Sequence, residues 1–251
     1  MFKYSSLMLS LLFVAHAHEN FQELPSKQSY YSSIEACKKL GDEWRLPEIW
    51  ELFDLRGKTD EFGFDKRYWS ATPLKESREL KTQTGSDEVF IRDNSIPAFA
   101  FYLQDGDITP TPKEINALAL CTKLPKREQN ESYFTASQDG VLDSLNNILW
   151  EPLTEDKKEN YEDAKDICEY KKTDGKSWRL PTVDELYSIV NYNYVKPSVN
   201  PAVFSKMQNK YYWSEDTFSE DEAYVVGFSI GSVATSKKSE KSYFRCVQDK
   251  R

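Results

Sequence analysis

The chain has 251 residues and carries 41 acidic side chains but only two histidines, so acid–base chemistry in it would have to be carboxylate chemistry. Seven acids crowd the second half: Asp139, Asp143, Glu215, Asp216, Glu220, Asp221 and Glu222. Two carboxylates facing each other across a sugar ring make a glycoside hydrolase. With this many acids, however, some pair is close whatever the fold, and abundance favours a solvated surface. His16 and His18 lie at the extreme N-terminus, and the chain has neither G-x-S-x-G nor H-E-x-x-H, the usual frames for a serine nucleophile or a zinc-bound water. The four cysteines, Cys37, Cys121, Cys168 and Cys246, form no C-x-x-C pair, which argues against zinc. The residues read as non-enzymatic, with no metal and no cofactor.

Binding chemistry has more candidates. Arg45 and Arg179 each sit between a tryptophan and a leucine, a poor place for a free charge. Either arginine could hold a carboxylate or sulfate ligand. The favoured reading pairs each with a downstream glutamate, Glu51 or Glu185, because charges in apolar surroundings are usually paired. Trp44, Trp69, Trp178 and Trp213 read as core plugs before sugar-stacking platforms. Tyr192, Tyr194, Tyr211 and Tyr212 are the candidate ligand contacts, since tyrosine offers large rigid area at little entropic cost; the same residues are also ordinary strand formers. Asn130-Glu131-Ser132 satisfies the N-x-S/T pattern and marks Asn130 as a candidate glycosylation site.

These residues recur in order. Trp44-Arg45-Leu46-Pro47 returns as Trp178-Arg179-Leu180-Pro181, and Glu51-Leu52 as Glu185-Leu186. Tyr68-Trp69-Ser70 returns as Tyr212-Trp213-Ser214, and a glycine stands fifteen residues before the last cysteine of each half, Gly106 before Cys121 and Gly231 before Cys246. The chain is therefore expected to be two copies of one domain, residues 18–123 and 132–251, joined by a polar linker at 124–131. In the first copy Ser32-Ser33-Ile34-Glu35 reads as a capping box opening a helix to Leu40, and Pro47 starts a second helix from Glu48 to about Leu55. Strands are expected at Arg67–Ala71, Val89–Arg92, Ala98–Leu103 and Leu118–Thr122, with a tight turn at Asp105-Gly106. In the second copy a leading strand covers Ser144–Trp150 and a helix capped near Asn160 runs to Tyr170. Thr182 and Glu185 form a capping box for a helix ending near Asn191. Strands follow at Tyr211–Ser214, Ala223–Ile230, Ser232–Thr235 and Phe244–Val247. The class is α+β, with two helices and a small antiparallel sheet in each copy.

Residues 1–17 read as a secretory signal peptide: Lys3, an apolar run from Leu7 to Ala15, and Ala15-His16-Ala17 as cleavage site. That stretch is too short to span a bilayer. The setting is then oxidising, periplasmic or secreted to the cell surface, and the four cysteines read as two disulfides. The repeat selects Cys37–Cys121 and Cys168–Cys246. The net charge of -8 becomes -9 once the leader takes Lys3 away, and both halves share it. That field disfavours nucleic acid as a partner. Lys237, Lys238 and Lys241 are the tightest basic cluster of the second copy and read as a solvated loop.

The cysteine-bearing helix, W-R-L-P-x-x-x-E-L, Y-W-S, a glycine and a closing Arg245-Cys246-Val247 together resemble the Legionella collagen-like protein C-terminal domain family. The second copy carries the pattern best. The first ends in Leu120-Cys121-Thr122 and shows no leading strand. The resemblance implies two tandem C-type-lectin-like domains, each closed by its disulfide, an exported or surface location in bacteria and, in some members, adhesion to host glycans. The calcium-dependent sugar-binding signatures of lectins (Glu-Pro-Asn, Gln-Pro-Asp, Trp-Asn-Asp) are absent, and Glu151-Pro152-Leu153 only echoes one. The expected function is an exported, non-enzymatic binding or adhesion module for a glycan or protein surface. A structural subunit of a periplasmic or surface assembly, and an enzyme acting on cell-envelope glycan, are the alternatives.

Overall fold

A computed structural model describes residues 20–62, 65–74, 96–127, 129, 131–152, 157–173 and 176–250. The expected signal peptide, the expected strand Val89–Arg92 and Asn130 lie outside the described residues. The chain divides into two compact units, Met1–Arg127 and Glu128–Arg251. Both are α+β.

In the first unit the helices are α1 (Tyr30–Lys38), α2 (Ile49–Phe53) and a short α3 (Thr59–Phe62). The strands are β1 (Phe21–Glu23), β2 (Arg67–Pro73), β3 (Ala98–Tyr102), β4 (Ile108–Thr111) and β5 (Leu120–Thr122). They form an antiparallel β2-β3-β4 sheet and a separate β1-β5 pair, rather than one sheet. The second unit has α4 (Tyr161–Tyr170) and α5 (Val183–Ser188), with strands β6 (Phe134–Ser137), β7 (Gly140–Asp143), β8 (Ile148–Trp150), β9 (Lys158–Glu159), β10 (Lys172–Thr173), β11 (Lys176–Ser177), β12 (Tyr211–Thr217), β13 (Glu222–Gly227), β14 (Ser232–Lys237), β15 (Ser242–Tyr243) and β16 (Val247–Asp249). Its strand orders are β14-β13-β12-β15-β9 and β16-β8-β7-β6, plus a β10-β11 hairpin.

The two units share a set of contacts at equivalent positions. The Trp69 indole donates to the Gln28 carbonyl at 2.9 Å, and the Trp213 indole to the Glu159 carbonyl at 2.9 Å. Tyr30 meets Trp69 edge-on at 5.6 Å, and Tyr161 meets Trp213 at 5.7 Å. The Tyr30 hydroxyl donates to the Ala71 carbonyl, and that of Tyr161 to the Glu215 carbonyl. Ala71 N–H and Glu215 N–H return to the carbonyls of Pro47 and Pro181, each at 2.7 Å. After each tryptophan the strand register slips, between Trp69 and Pro73 in β2 and between Trp213 and Thr217 in β12. Gly106 and Gly231 close equivalent turns with φ of 77° and 78°, a backbone region that glycine enters without steric cost. Each core gathers the same kinds of residue: Tyr30, Cys37, Leu46, Trp69 and Ala98 in one, Tyr161, Cys168, Leu180, Trp213 and Ala223 in the other.

The cysteines pair as Cys37–Cys121 and Cys168–Cys246, with Cα atoms 5.5 and 5.6 Å apart. Each bond ties the first helix of its unit to the segment of the last strand. The loops closed are 84 and 78 residues long, each supplying about 4–5 kcal/mol if the effect is chiefly on unfolded-chain entropy.

Several local expectations need correction. The first unit does have a leading strand: β1 pairs antiparallel with β5, Phe21 opposite Thr122, as β8 pairs with β16 and Trp150 lies opposite Val247. Phe-Gln-Glu is too short and too polar to announce itself. Ser32 is not a cap, because α1 starts one turn earlier after Ser29 and no side chain bonds its end. Burying Tyr30 against Trp69 outweighs a surface capping box. Asn160 and Thr182 do cap α4 and α5, accepting from the N–H groups of Asp163 and Glu185. The stretch read as Phe244–Val247 is broken between β15 and β16. Strands β4, β6, β7, β9, β10, β11 and β15 are not among the expected ones; alternation is hard to read in runs of two to four residues, and β4 and β7 contain Pro110 and Gly140.

Residues 124–127, read as part of a polar linker, are bound to the first unit. Arg45 donates to the Leu124 carbonyl, Lys126 pairs with Glu48, and Arg127 N–H donates to Glu51. Gln129 and Glu131 are bound to the second: Gln129 donates to the Val190 carbonyl and accepts from Tyr192 N–H, while the Glu131 carboxylate accepts from the amides of Asn191 and Asn200.

Candidate functional site

The arginine of each W-R-L-P run faces the glutamate six residues on. In the first unit Arg45 Nη1 and Nη2 donate to the two Glu51 oxygens at 2.7 and 2.8 Å. In the second, Arg179 makes the same fork to Glu185 at 2.8 and 2.8 Å. Nη1 also reaches the carbonyl of the next residue, Leu46 or Leu180. The backbone explains the meeting. Arg45 and Arg179 are held extended by bridges to Thr122 and Val247, and the proline that follows turns the chain into a helix whose third residue is the glutamate. That glutamate caps its own helix, accepting from Glu48 N–H at 2.8 Å or Thr182 N–H at 2.7 Å. Two parallel charge-assisted bonds fill both carboxylate oxygens. Neither arginine is free for a ligand.

Electrostatics agree with this geometry. Burial pushes the Glu51 carboxyl up, but the bonds from Arg45, Glu48 N–H and Arg127 N–H outweigh it and hold it below the usual range. The bond to Glu185 holds the Arg179 guanidinium charged, against the penalty of burial and with help from Asp249. Here the units differ. Beyond the fork, Arg179 Nη2 bonds Asp249 at 2.8 Å and Nη1 lies 3.8 Å from Glu215, whereas Arg45 Nη2 bonds the Leu124 carbonyl at 2.9 Å. Burial, with Glu185, Asp216 and Asp249 nearby, raises the Glu215 carboxyl, and Arg179 opposes the rise. Asp216 is occupied at the start of α5, accepting from Val183 N–H at 2.6 Å. Asp216 thus serves the second helix of the unit. Among the described residues no cluster of His, Cys, Asp and Glu is arranged to hold a metal.

The aromatic candidates separate by burial. Trp69, Trp178 and Trp213 are core, whereas Trp44 is half-buried with the Lys123 ammonium 5.8 Å above its ring. Tyr192 and Tyr212 are buried and present no surface to a ligand. The Tyr192 hydroxyl bonds the Tyr187 hydroxyl at 2.8 Å and donates to the Gly231 carbonyl at 2.6 Å, and burial raises its pKa. The Tyr212 hydroxyl accepts from Gln208 N–H, and its ring stacks on Tyr243 at 5.5 Å. In a strand, alternate residues face opposite ways, and this is why Tyr211 is 48% exposed beside a wholly buried Tyr212. Tyr194 is half-buried. Tyr170 at the end of α4 and Phe218 after β12 are exposed aromatics that sequence reasoning passed over; their neighbours carry no motif. Two lysines of the basic cluster are engaged: Lys238 donates to the Glu220 carbonyl and lies over the Tyr161 ring, and Lys241 pairs with Glu159.

No helix of the described residues is long and apolar enough to cross a membrane. No curated protein is significantly similar to the chain. Residues 139–248 match the Lcl C-terminal domain family. That span runs from the turn before β7 into β16 and includes the Arg179–Glu185 fork, Trp213 and both cysteines of the second disulfide. The second unit, Glu128–Arg251, is thus similar to that family over most of its length.

Proposed function

We propose that the chain is an exported, non-enzymatic binding protein whose units are C-type-lectin-like and whose second unit recognises a glycan or a protein surface. One observation carries this reading: the charged groups common to both copies are closed on each other inside each unit, and Tyr211 remains exposed on β12. The motif is then scaffold, and recognition falls to side chains outside it. The Tyr211 ring covers Gly227 of β13, where an added Cβ would come within 2.7 Å of it. A flat aromatic braced from behind and half open in front suits the apolar face of a sugar or a partner's side chain. Two disulfides on the described residues favour an oxidising compartment, periplasmic or extracellular.

The test is an array of glycans and envelope proteins probed with the leaderless chain, followed by Tyr211→Ala. The expected result is a ligand whose affinity falls by about tenfold in the variant, the cost of one well-packed contact residue, with circular dichroism unchanged. Absence of any ligand across both arrays would overturn the proposal.

A further inference from the structure

The second unit buries a positive charge that no carboxylate meets directly. Arg245 is 2% exposed. Its Nε and Nη2 both donate to the Glu151 carbonyl, at 2.9 and 2.6 Å, and its guanidinium lies 5.2 Å above the Phe204 ring. The Glu151 carboxylate is engaged elsewhere, by Cys246 N–H at 2.7 Å and by the Lys171 ammonium. Arg245 Nη1 is buried with no acceptor, and so is the indole Nε1 of Trp150. The Trp150 ring meets the same Phe204 ring at 5.9 Å. Trp150 lies opposite Val247, two residues beyond Arg245, so both side chains reach Phe204 from neighbouring segments. Burial lowers the Arg245 pKa to about 10, a measure of how poorly the surroundings support its charge.

We propose that Arg245 Nη1 and Trp150 Nε1 hold a monatomic anion, chloride under physiological conditions, inside the second unit. Guanidinium and indole nitrogens only donate. A water accepting from both would still have to place two protons of its own, beside a phenyl ring. A halide needs donors alone, and it also neutralises the buried charge, whose isolation is costly. The first unit is an internal control. Leu120 stands where Arg245 stands, and Phe21 pairs with Thr122 as Trp150 pairs with Val247. Both donors are absent there together, as expected if they serve one ligand.

The same comparison supplies a variant built to fold: Arg245→Leu with Trp150→Phe restores the first unit's apolar pair. Crystals of the whole chain grown in bromide should show an anomalous peak touching both nitrogens, absent from the double variant. In solution the wild-type melting temperature should be about 3 °C higher in chloride than in gluconate at equal ionic strength, and the variant should show no difference. No bromide peak and equal melting in the two salts would overturn the site. A peak that survived the double substitution would overturn the assignment of its donors.

Discussion

Replacing Arg179 by methionine tests whether the shared fork is a scaffold element. The substitution keeps most of the aliphatic stem but removes both bonds to Glu185, the bond to the Leu180 carbonyl and the bond to Asp249. Glu185 is left with the N–H of Thr182 and a side chain only 13% exposed, against 28% for Arg179. Breaking a fully buried pair costs about 3–5 kcal/mol, whereas an exposed pair is worth about 0–1 kcal/mol. The intermediate exposure places the loss at about 2–3 kcal/mol, or roughly 30- to 150-fold in an opening equilibrium. Glu215 also loses the one cation opposing its raised pKa. Part of the loss is then repulsion felt by Glu215 from Glu185, Asp216 and Asp249, and the deficit should shrink as pH falls and Glu215 takes up its proton. Hydrogen exchange read by mass spectrometry suits a chain of two units, because peptides from each report separately. Peptides of α5 and β12 should exchange faster by that factor while those of α2 and β2 stay unchanged. A loss below about 0.5 kcal/mol, the scale of a surface pair, would refute the reasoning.

Asp107 carries a pH prediction. Burial and Asp105 raise its carboxyl to about 6, against the pull of Arg67. A carboxyl whose folded pKa exceeds its unfolded value contributes most at low pH, and that contribution is lost between about pH 4 and 6. The shift sets a ceiling of about 3 kcal/mol, which partial exposure reduces to about 1 kcal/mol. Asp107→Asn should therefore raise the stability of the first unit at pH 8 and leave it equal to wild type below pH 4; urea titrations showing the same gap at both pH values would contradict this. Gly231→Ala and Gly57→Ala both ask alanine to adopt positive φ, at about 1 kcal/mol. Only at Gly231 would the new Cβ strike neighbours, Val190 at 2.7 Å and Tyr192 at 2.8 Å, whereas nothing lies within 4 Å at Gly57. The first substitution should cost about 2–4 kcal/mol and the second about 1 kcal/mol, a difference that unit-resolved exchange measures; equal costs would mean that the Tyr192 pocket yields.

The repeat, and everything attached to it by short-range rules, is legible in the order of the residues alone. Duplicated W-R-L-P, Y-W-S and cysteine positions imply two equivalent units, and an Arg and a Glu six apart across a proline meet because the proline ends a strand and opens a helix. The caps at Asn160 and Thr182 follow from side chains three residues from their N–H partners. Tertiary structure decided the rest. Packing of Tyr30 on Trp69 moved the start of α1 away from Ser32, and long-range pairing with β5 made a strand of Phe21–Glu23. It also separated tyrosines that look alike in a row: Tyr211 faces solvent while Tyr212 and Tyr192 are sealed in the core. The buried donors of Arg245 and Trp150 come together only when β8 and β16 lie side by side. A hydrogen bond within a few residues is written in the local pattern, but the surroundings of a side chain depend on which distant segments fold against it.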